Sequence, residues 1–165
     1  MLYGDFEVNG AFAQALRQRS SGGEIILTVT DWRHQRWAHN LLLNLRALSI
    51  SHHLILSADP KACEALDARM PREVGCGHSS WLRGASESHP KLARGLKAFG
   101  IQANHVYHLW WQRWHYLARA VGMGYSALSL DSDISLRVDP YAMLHGALRG
   151  FEMVVAIDSA RSGKQ

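Results

Sequence analysis

The chain has 165 residues, of which 47% are hydrophobic and 19% charged, which is the composition of one globular domain with a hydrophobic core rather than of a disordered chain. The formal net charge of +4 suits a phosphate-rich ligand but is too small and too dispersed to predict a nucleic-acid partner. No apolar run approaches the length of a membrane span, and no signal peptide is visible, so we expect no membrane segment within this chain.

The first half of the sequence alternates between strand and helix signals. The predicted elements are, in chain order, a strand at 24–30, a helix at about 33–48, a strand at 53–59 and a helix that begins at Pro60. The first of these helices carries apolar residues at helical spacing, which predict one buried stripe: Trp37, Leu41, Leu45 and Leu48. This order predicts the α/β class, with a mainly parallel sheet flanked by helices.

In the second half, residues 72–102 are rich in Gly, Ser and His and predict a long surface loop. The predicted elements that follow are a helix ended by Gly122 and Gly124, a strand at 125–130, a short helix from Pro140 to Leu148 and a strand at 151–158. The helix is expected to bury a stripe that includes tryptophans, namely Val106, Trp110, Trp114, Leu117 and Val121.

The domain is therefore expected to span residues 24–158, between an N-terminal extension at 1–23 and a tail at 159–165. An α/β domain that ends at its fourth strand lacks a C-terminal half. We accordingly expect a truncated domain, a fragment of a longer protein.

Two carboxylates follow the predicted strand at 125–130 directly. Asp131 and Asp133 are one residue apart at the carboxyl end of that strand, where open α/β sheets hold their ligands. Carboxylates this close repel each other, and a hard divalent cation such as Mg²⁺ or Mn²⁺ relieves that repulsion. The alternative is a polar turn in which Asp131 accepts hydrogen bonds from backbone amides. The preceding strand and the nearby Asp139-Pro140 turn favour the cation site.

Further candidates lie on neighbouring elements. Arg113, on the helix that leads to this strand, can hold a diphosphate in bidentate fashion, although a surface arginine that covers a tryptophan is the commoner case. Thr28, Thr30 and Asp31 end the strand at 24–30, in the crevice where a base or ribose would lie. Asp31 can also cap the following helix.

Cysteine and histidine patterns exclude some site classes without identifying one. Cys63 and Cys76 match no metal-binding spacing, and the sequence leaves open a disulfide or two free thiols. The ten histidines show no H-E-x-x-H pattern, and the chain lacks the G-x-S-x-G elbow of an α/β-hydrolase.

The segment LWWQRWHYLARAVGMGYSALSLDSDISLRVDPY, residues 109–141, resembles the nucleotide-diphospho-sugar transferase family, which includes plant and green-algal arabinosyl- and xylosyltransferases of cell-wall glycoproteins. The residues that match the family's pattern are Trp111, Arg113, Gly124-Tyr125, Asp131-Ser132-Asp133 and Asp139-Pro140. Residues 25–50 also look like the family's first strand and helix, so the resemblance covers about residues 24–158.

The resemblance implies a GT-A (Rossmann-like) fold and a glycosyltransferase that moves a sugar from a UDP-sugar to a glycoprotein or glycan acceptor with retention. It implies that Asp133 coordinates Mn²⁺ or Mg²⁺. Asp131 then either shares the metal or contacts the ribose or sugar of the donor. It also places Thr30 and Asp31 near the uridine. The implied donor site comprises Thr28, Thr30, Asp31, Arg113, Asp131, Ser132 and Asp133. Relatives of this kind are Golgi proteins whose membrane anchor would lie outside this chain.

Two departures from the family and two rival functions stand beside this interpretation. The family commonly has lysine where Arg113 stands, and its C-terminal half supplies acceptor-binding residues and often a third metal ligand. LSLDSDIS also fits the motif of HAD-like phosphohydrolases, with Asp131 as nucleophile, Asp133 as acid/base and Mg²⁺ as cofactor, but that motif normally opens its domain. The other rival is a truncated, non-catalytic module that binds a nucleotide sugar.

Overall fold

The structure, a computed structural model, describes residues 1–80 and 105–155. The chain divides into two compact units, Met1–Ser135 and Leu136–Gln165. The first unit contains five described strands, β1 (Leu2–Asp5), β2 (Glu24–Thr30), β3 (His53–Ser57), β4 (Cys76–His78) and β5 (Ser126–Leu130). Its described helices are α1 (Ala11–Arg19), α2 (Gln35–Ala47), α3 (Pro60–Arg69) and α4 (His105–Gly122), and the second unit contains α5 (Pro140–His145).

The strands form one sheet in the order β1-β4-β3-β2-β5, and every neighbouring pair is parallel. The predicted α/β class with a parallel sheet flanked by helices is therefore confirmed, and the topology is compatible with a Rossmann-like fold. β2 lies between β3 and β5, and six of its seven residues are buried. Burial on both faces explains why its sequence, EIILTVT, is almost continuously apolar or β-branched.

Helices cover both faces of the sheet. One core cluster brings Phe12 of α1 and Tyr116 of α4 together with Leu27 of β2. A second cluster brings Leu42 of α2 together with Leu66 of α3. α1 and α4 therefore pack on one face, and α2 and α3 on the other.

The strand order reverses between β2 and β5. From β2 the chain runs through α2 and α3 to β3 and β4, away from β5, and α4 then leads to β5 on the other side of β2. At this switch point α2 and α4 belong to opposite layers, which leaves a crevice at the carboxyl ends of the two strands.

Local signals fix several helix ends as the sequence predicts. α3 begins at Pro60, and the Asp59 carboxylate accepts a hydrogen bond from the Ala62 amide at 3.1 Å. α4 ends at Gly122, and Gly124 has φ +87°, a left-handed conformation that glycine adopts without a Cβ clash. In the second unit, Asp139 caps α5 by accepting from the Tyr141 amide at 2.9 Å.

Residues 1–23, assigned from the sequence to an extension, contain β1 and α1, and both belong to the first unit's sheet and core. Similarly, β4 lies inside the predicted loop at 72–102, and residues 81–102 of that loop lie outside the described residues. β1 and β4 are four and three residues long, so pairing with neighbours rather than local pattern forms them. Gly77 of β4 allows the Phe6 ring to lie against the backbone, since a Cβ there would be 2.3 Å from it.

The prediction of a strand at 151–158 is wrong for residues 151–155, which form no strand, and 156–158 lie outside the described residues, as does the tail at 159–165. A strand requires a paired neighbour, and 151–155 appear in none of the described ladders. The predicted helix from Pro140 ends at His145 rather than Leu148, with Gly146 after it.

The predicted burial of the tryptophans is also wrong. Trp110, Trp111 and Trp114 are at least half exposed, and Trp37 of α2 is 49% exposed. Between residues 109 and 122 of α4, the buried residues are Leu109, Gln112, Tyr116 and Ala120. The helix is therefore rotated relative to the prediction, and the buried Gln112 amide donates to the Ser57 carbonyl at 2.7 Å.

The two cysteines, which the sequence left open, form a disulfide that links α3 to β4. Cys63 and Cys76 are both buried and lie in the core cluster beneath α2 and α3. Within residues 1–80 and 105–155, none of the helices combines the length and the apolar composition that a membrane span requires.

Candidate functional site

A cleft of about 290 Å³ opens at the carboxyl ends of β2 and β5, at the switch point of the sheet. Its lining residues are Val29, His34, Trp37, Leu109, Trp110, Arg113, Asp131, Ser132 and Asp133. They come from the end of β2, the start of α2, the first half of α4 and the turn after β5. The cleft therefore lies where open parallel sheets usually bind ligands.

One side of the cleft is charged. The Arg113 guanidinium of α4 donates from Nη2 to Oδ1 of Asp131, and the Arg113 side chain is 21% exposed against 51% for that of Asp131. Burial lowers the pKa of Arg113 from its ordinary value, and the negative charge of Asp133 acts in the opposite direction. The guanidinium nevertheless stays protonated. One cation thus faces two carboxylates, and the group carries a net negative charge.

Arg113 also has an unused donor. Its Nε is buried and has no hydrogen-bond acceptor among the residues the structure describes. Buried donors are normally paired, and the residue that carries this unpaired donor lines the cleft. The arginine can therefore offer hydrogen bonds to an anion beyond the one it gives to Asp131.

Another part of the cleft lining is aromatic. Trp37 of α2 and Trp110 of α4 line it and are 49% and 50% exposed. The His34 ring lies 5.0 Å from the Trp37 indole between centroids, and His34 Nδ1 lies 2.7 Å from Oδ1 of Asp31. Asp31 therefore holds in place the imidazole next to one of the two exposed indoles.

The structure brings together four of the residues predicted for the donor site, Arg113, Asp131, Ser132 and Asp133. Thr28 and Thr30 do not line the cleft and are buried, at 2% and 0% exposure. Successive side chains of a strand point to opposite faces, so the neighbouring Val29 lines the cleft while the two threonines face away.

Asp31 is 6% exposed and contributes to the cleft indirectly. Its carboxylate accepts a hydrogen bond from the His34 amide at 2.8 Å, in the turn that precedes α2. This is the backbone contact that the capping hypothesis predicted for Asp31, although the residue at the helix N-cap is His34 itself.

Sequence reasoning did not identify five of the lining residues, Val29, His34, Trp37, Leu109 and Trp110. His34 and Trp37 follow closely on β2 in DWRHQRW, and Trp110 lies one helical turn before Arg113. Those positions were the available signal, because the end of a parallel strand and the helix that leads to a D-x-D meet at the same edge of the sheet.

The oxygen ligands that the cleft offers can be compared with those that a divalent cation requires. Asp131 and Asp133 offer hard carboxylate oxygens, whereas the described residues include no group of three or more His, Cys, Asp or Glu side chains placed for a metal. Mg²⁺ in proteins is commonly held by one or two carboxylates together with substrate phosphates and water. The residues present therefore fit a hard cation that a phosphate ligand helps to hold.

A second polar cluster lies at the ends of β1 and β4. Glu7 accepts hydrogen bonds from Tyr116 at 2.6 Å and from Ser79 at 2.8 Å, and it pairs with Arg119 at 3.4 Å. Burial and the hydrogen bond to Glu7 raise the pKa of the Tyr116 phenol. The Arg119 guanidinium also lies over the Tyr116 ring at 5.0 Å. Because its groups satisfy one another, this cluster fastens the N-terminal segment to α4.

Comparisons with known proteins identify no family for this chain: no family model, no curated protein and no solved structure matches it. The resemblance of residues 109–141 to the nucleotide-diphospho-sugar transferases therefore stays a prediction. The function has to be inferred from the chemistry of the cleft.

Proposed function

We infer that this chain is the donor-binding part of a GT-A-like glycosyltransferase, which binds a nucleoside diphosphate sugar together with Mn²⁺ or Mg²⁺. The observation that carries the proposal is the convergence of Asp131, Asp133 and Arg113 in one cleft at the switch point of a parallel sheet. Two carboxylates suit the cation, and the guanidinium suits a diphosphate.

Different lining residues would bind different parts of the ligand. Asp131 and Asp133 would hold the cation, which when bound stabilises negative charge on the departing diphosphate as a Lewis acid. Arg113 binds the diphosphate oxygens, because the planar arrangement of its N–H donors matches them. Its Nε also has no acceptor among the described residues. The exposed indoles of Trp37 and Trp110 offer flat apolar surfaces on which a nucleobase stacks.

The donor's identity, the acceptor and the location of the reaction come from the resemblance. The donor is a UDP-linked sugar, the acceptor is a glycoprotein or glycan, and the location is the Golgi. The resemblance also implies transfer with retention at the anomeric carbon. The disulfide Cys63–Cys76 supports the Golgi location, because disulfides persist in oxidising compartments and are rare in the cytosol.

Calorimetric titration tests the donor site. UDP is titrated into the chain with and without MnCl₂, beside Asp133→Asn and the control Glu64→Gln, which removes an exposed carboxylate from α3. The proposal predicts UDP binding that requires Mn²⁺, is lost in Asp133→Asn and is kept in Glu64→Gln. Absence of UDP binding by the folded chain under both conditions would overturn it.

A second assay separates an enzyme from a binding module. The chain is incubated with a panel of UDP-sugars and Mn²⁺, with water as the acceptor, and released UDP is measured. Release that Asp133→Asn abolishes supports the glycosyltransferase. Binding of UDP without release from any UDP-sugar would leave the non-catalytic module as the function of this chain.

A further inference from the structure

We propose that Arg113 competes with the divalent cation for Asp131, and that a diphosphate ends this competition by drawing the guanidinium to itself. The inference rests on the proposed function, since it concerns the order in which cation and diphosphate occupy the same cleft. It predicts that the cation alone binds weakly and that the two ligands bind cooperatively.

The ion pair supplies the competition. Arg113 Nη2 already donates to Oδ1 of Asp131, which is one of the two carboxylates available to a cation. A cation that used both carboxylates would displace the guanidinium from that oxygen. Arg113 is mostly buried, so displacement leaves a poorly hydrated cation without its partner, and the free energy of metal binding is reduced by that cost.

Charge balance gives the diphosphate its role. Arg113, Asp131 and Asp133 together carry a net negative charge, and a divalent cation would make the same group net positive. The oxygens of a diphosphate offset this positive charge and provide acceptors for the guanidinium, whose Nε has no acceptor among the described residues. Each ligand therefore improves the site for the other, and by linkage the improvement is equal in both directions.

A purely structural ion pair would behave differently. If Arg113 mainly stabilised the turn after β5, its removal would leave Asp131 and Asp133 less well placed. That loss of position would offset the gain in cation affinity that removal of a positive charge brings, and cation binding would weaken or stay unchanged. Competition predicts tighter binding of the cation after the arginine is removed. The sign of the change therefore distinguishes the two roles.

The experiment measures Mn²⁺ binding in the absence of any nucleotide, from the loss of the free-ion EPR signal. It compares the wild-type chain with Arg113→Gln, and uses Arg17→Gln, which removes an exposed positive charge from α1, as the control for net charge. We expect Arg113→Gln to bind Mn²⁺ about tenfold more tightly, in the range typical of coupling between sites, and Arg17→Gln to match wild type. In the same variant, UDP binding with saturating Mn²⁺ weakens by about tenfold.

Equal or weaker Mn²⁺ binding by folded Arg113→Gln would overturn the inference. Arg113→Met, which retains a long stem for packing, repeats the test if circular dichroism shows that the glutamine variant is unfolded. A wild-type chain that binds neither Mn²⁺ nor UDP would instead overturn the proposed function. A wild-type chain that binds both, without the gain in the variants, would overturn the competition alone.

Discussion

The aromatic part of the cleft lining gives a prediction that separates recognition of a base from recognition of phosphate. Trp37 and Trp110 line the cleft and are about half exposed, so replacement by alanine removes a stacking surface without opening the centre of the core. Stacking of a base on an aromatic side chain is worth about 1–3 kcal/mol, which corresponds to about a 5- to 150-fold loss of affinity. We expect each alanine variant to lose UDP affinity within this range.

The assay is calorimetry with UDP and with inorganic pyrophosphate, each in the presence of Mn²⁺. Pyrophosphate has no base, so Trp37→Ala and Trp110→Ala should bind it as the wild type does. Trp114→Ala is the matched control, because this side chain is 60% exposed on the same helix but does not line the cleft. Equal losses for UDP and pyrophosphate, or a comparable loss of UDP affinity in Trp114→Ala, would refute the assignment of the two indoles to the base.

Three further predictions concern stability. Replacing Cys63 and Cys76 by serine releases a loop with a sequence separation of 13. The variant should lose about 3 kcal/mol of unfolding free energy in urea, and dithiothreitol should destabilise only the wild type. Burial, aided by nearby positive charge, lowers the pKa of His53 to about 3, so the folded state binds fewer protons than the unfolded state below pH 6.5. This contribution to the unfolding free energy is complete above pH 6.5 and decreases as the pH falls towards 3, with a loss of about 2 kcal/mol at pH 5. Urea unfolding of His53→Gln should therefore depend less on pH than that of the wild type. Replacing Glu7 by alanine leaves the Tyr116 hydroxyl without its acceptor and should lower the unfolding free energy by about 3 kcal/mol, whereas wild-type stability would contradict the role given to this cluster.

The sequence predicts well the elements whose local pattern agrees with their final surroundings. β2 and β3 are largely apolar or β-branched runs that the sheet buries, and α3 has its proline and aspartate at the first turn. The D-x-D was predictable because Asp131 follows directly on β5. In each case a short stretch of chain carried enough information by itself.

Other features depend on contacts that no local pattern contains. β1 and β4 exist because they pair with each other, and β4 with β3 as well. The rotation of α4 is set by Tyr116 in the core and Gln112 at the Ser57 carbonyl, which outweighs the usual preference of tryptophan for burial.

The cleft shows the same division. The charged residues after β5 and Arg113 on α4 could be identified from the sequence, whereas the aromatic part of the lining could not. It combines Trp37 of α2 with Trp110 of α4, and only the sheet topology brings these two helices to one crevice. Aromatic residues that follow the end of a parallel strand are the signal that would have indicated it.

The proposed ligand of the cleft between β2 and β5 is a nucleoside diphosphate together with a divalent cation. Chemical-shift mapping of the ¹⁵N-labelled chain with UDP and Mg²⁺, which is diamagnetic, locates the residues that contact this ligand. We expect the largest shifts at the amides of Asp131 to Asp133 and at the indole N–H groups of Trp37 and Trp110. Absence of shifts at saturating ligand, or shifts confined to the Glu7 cluster or another surface, would contradict it.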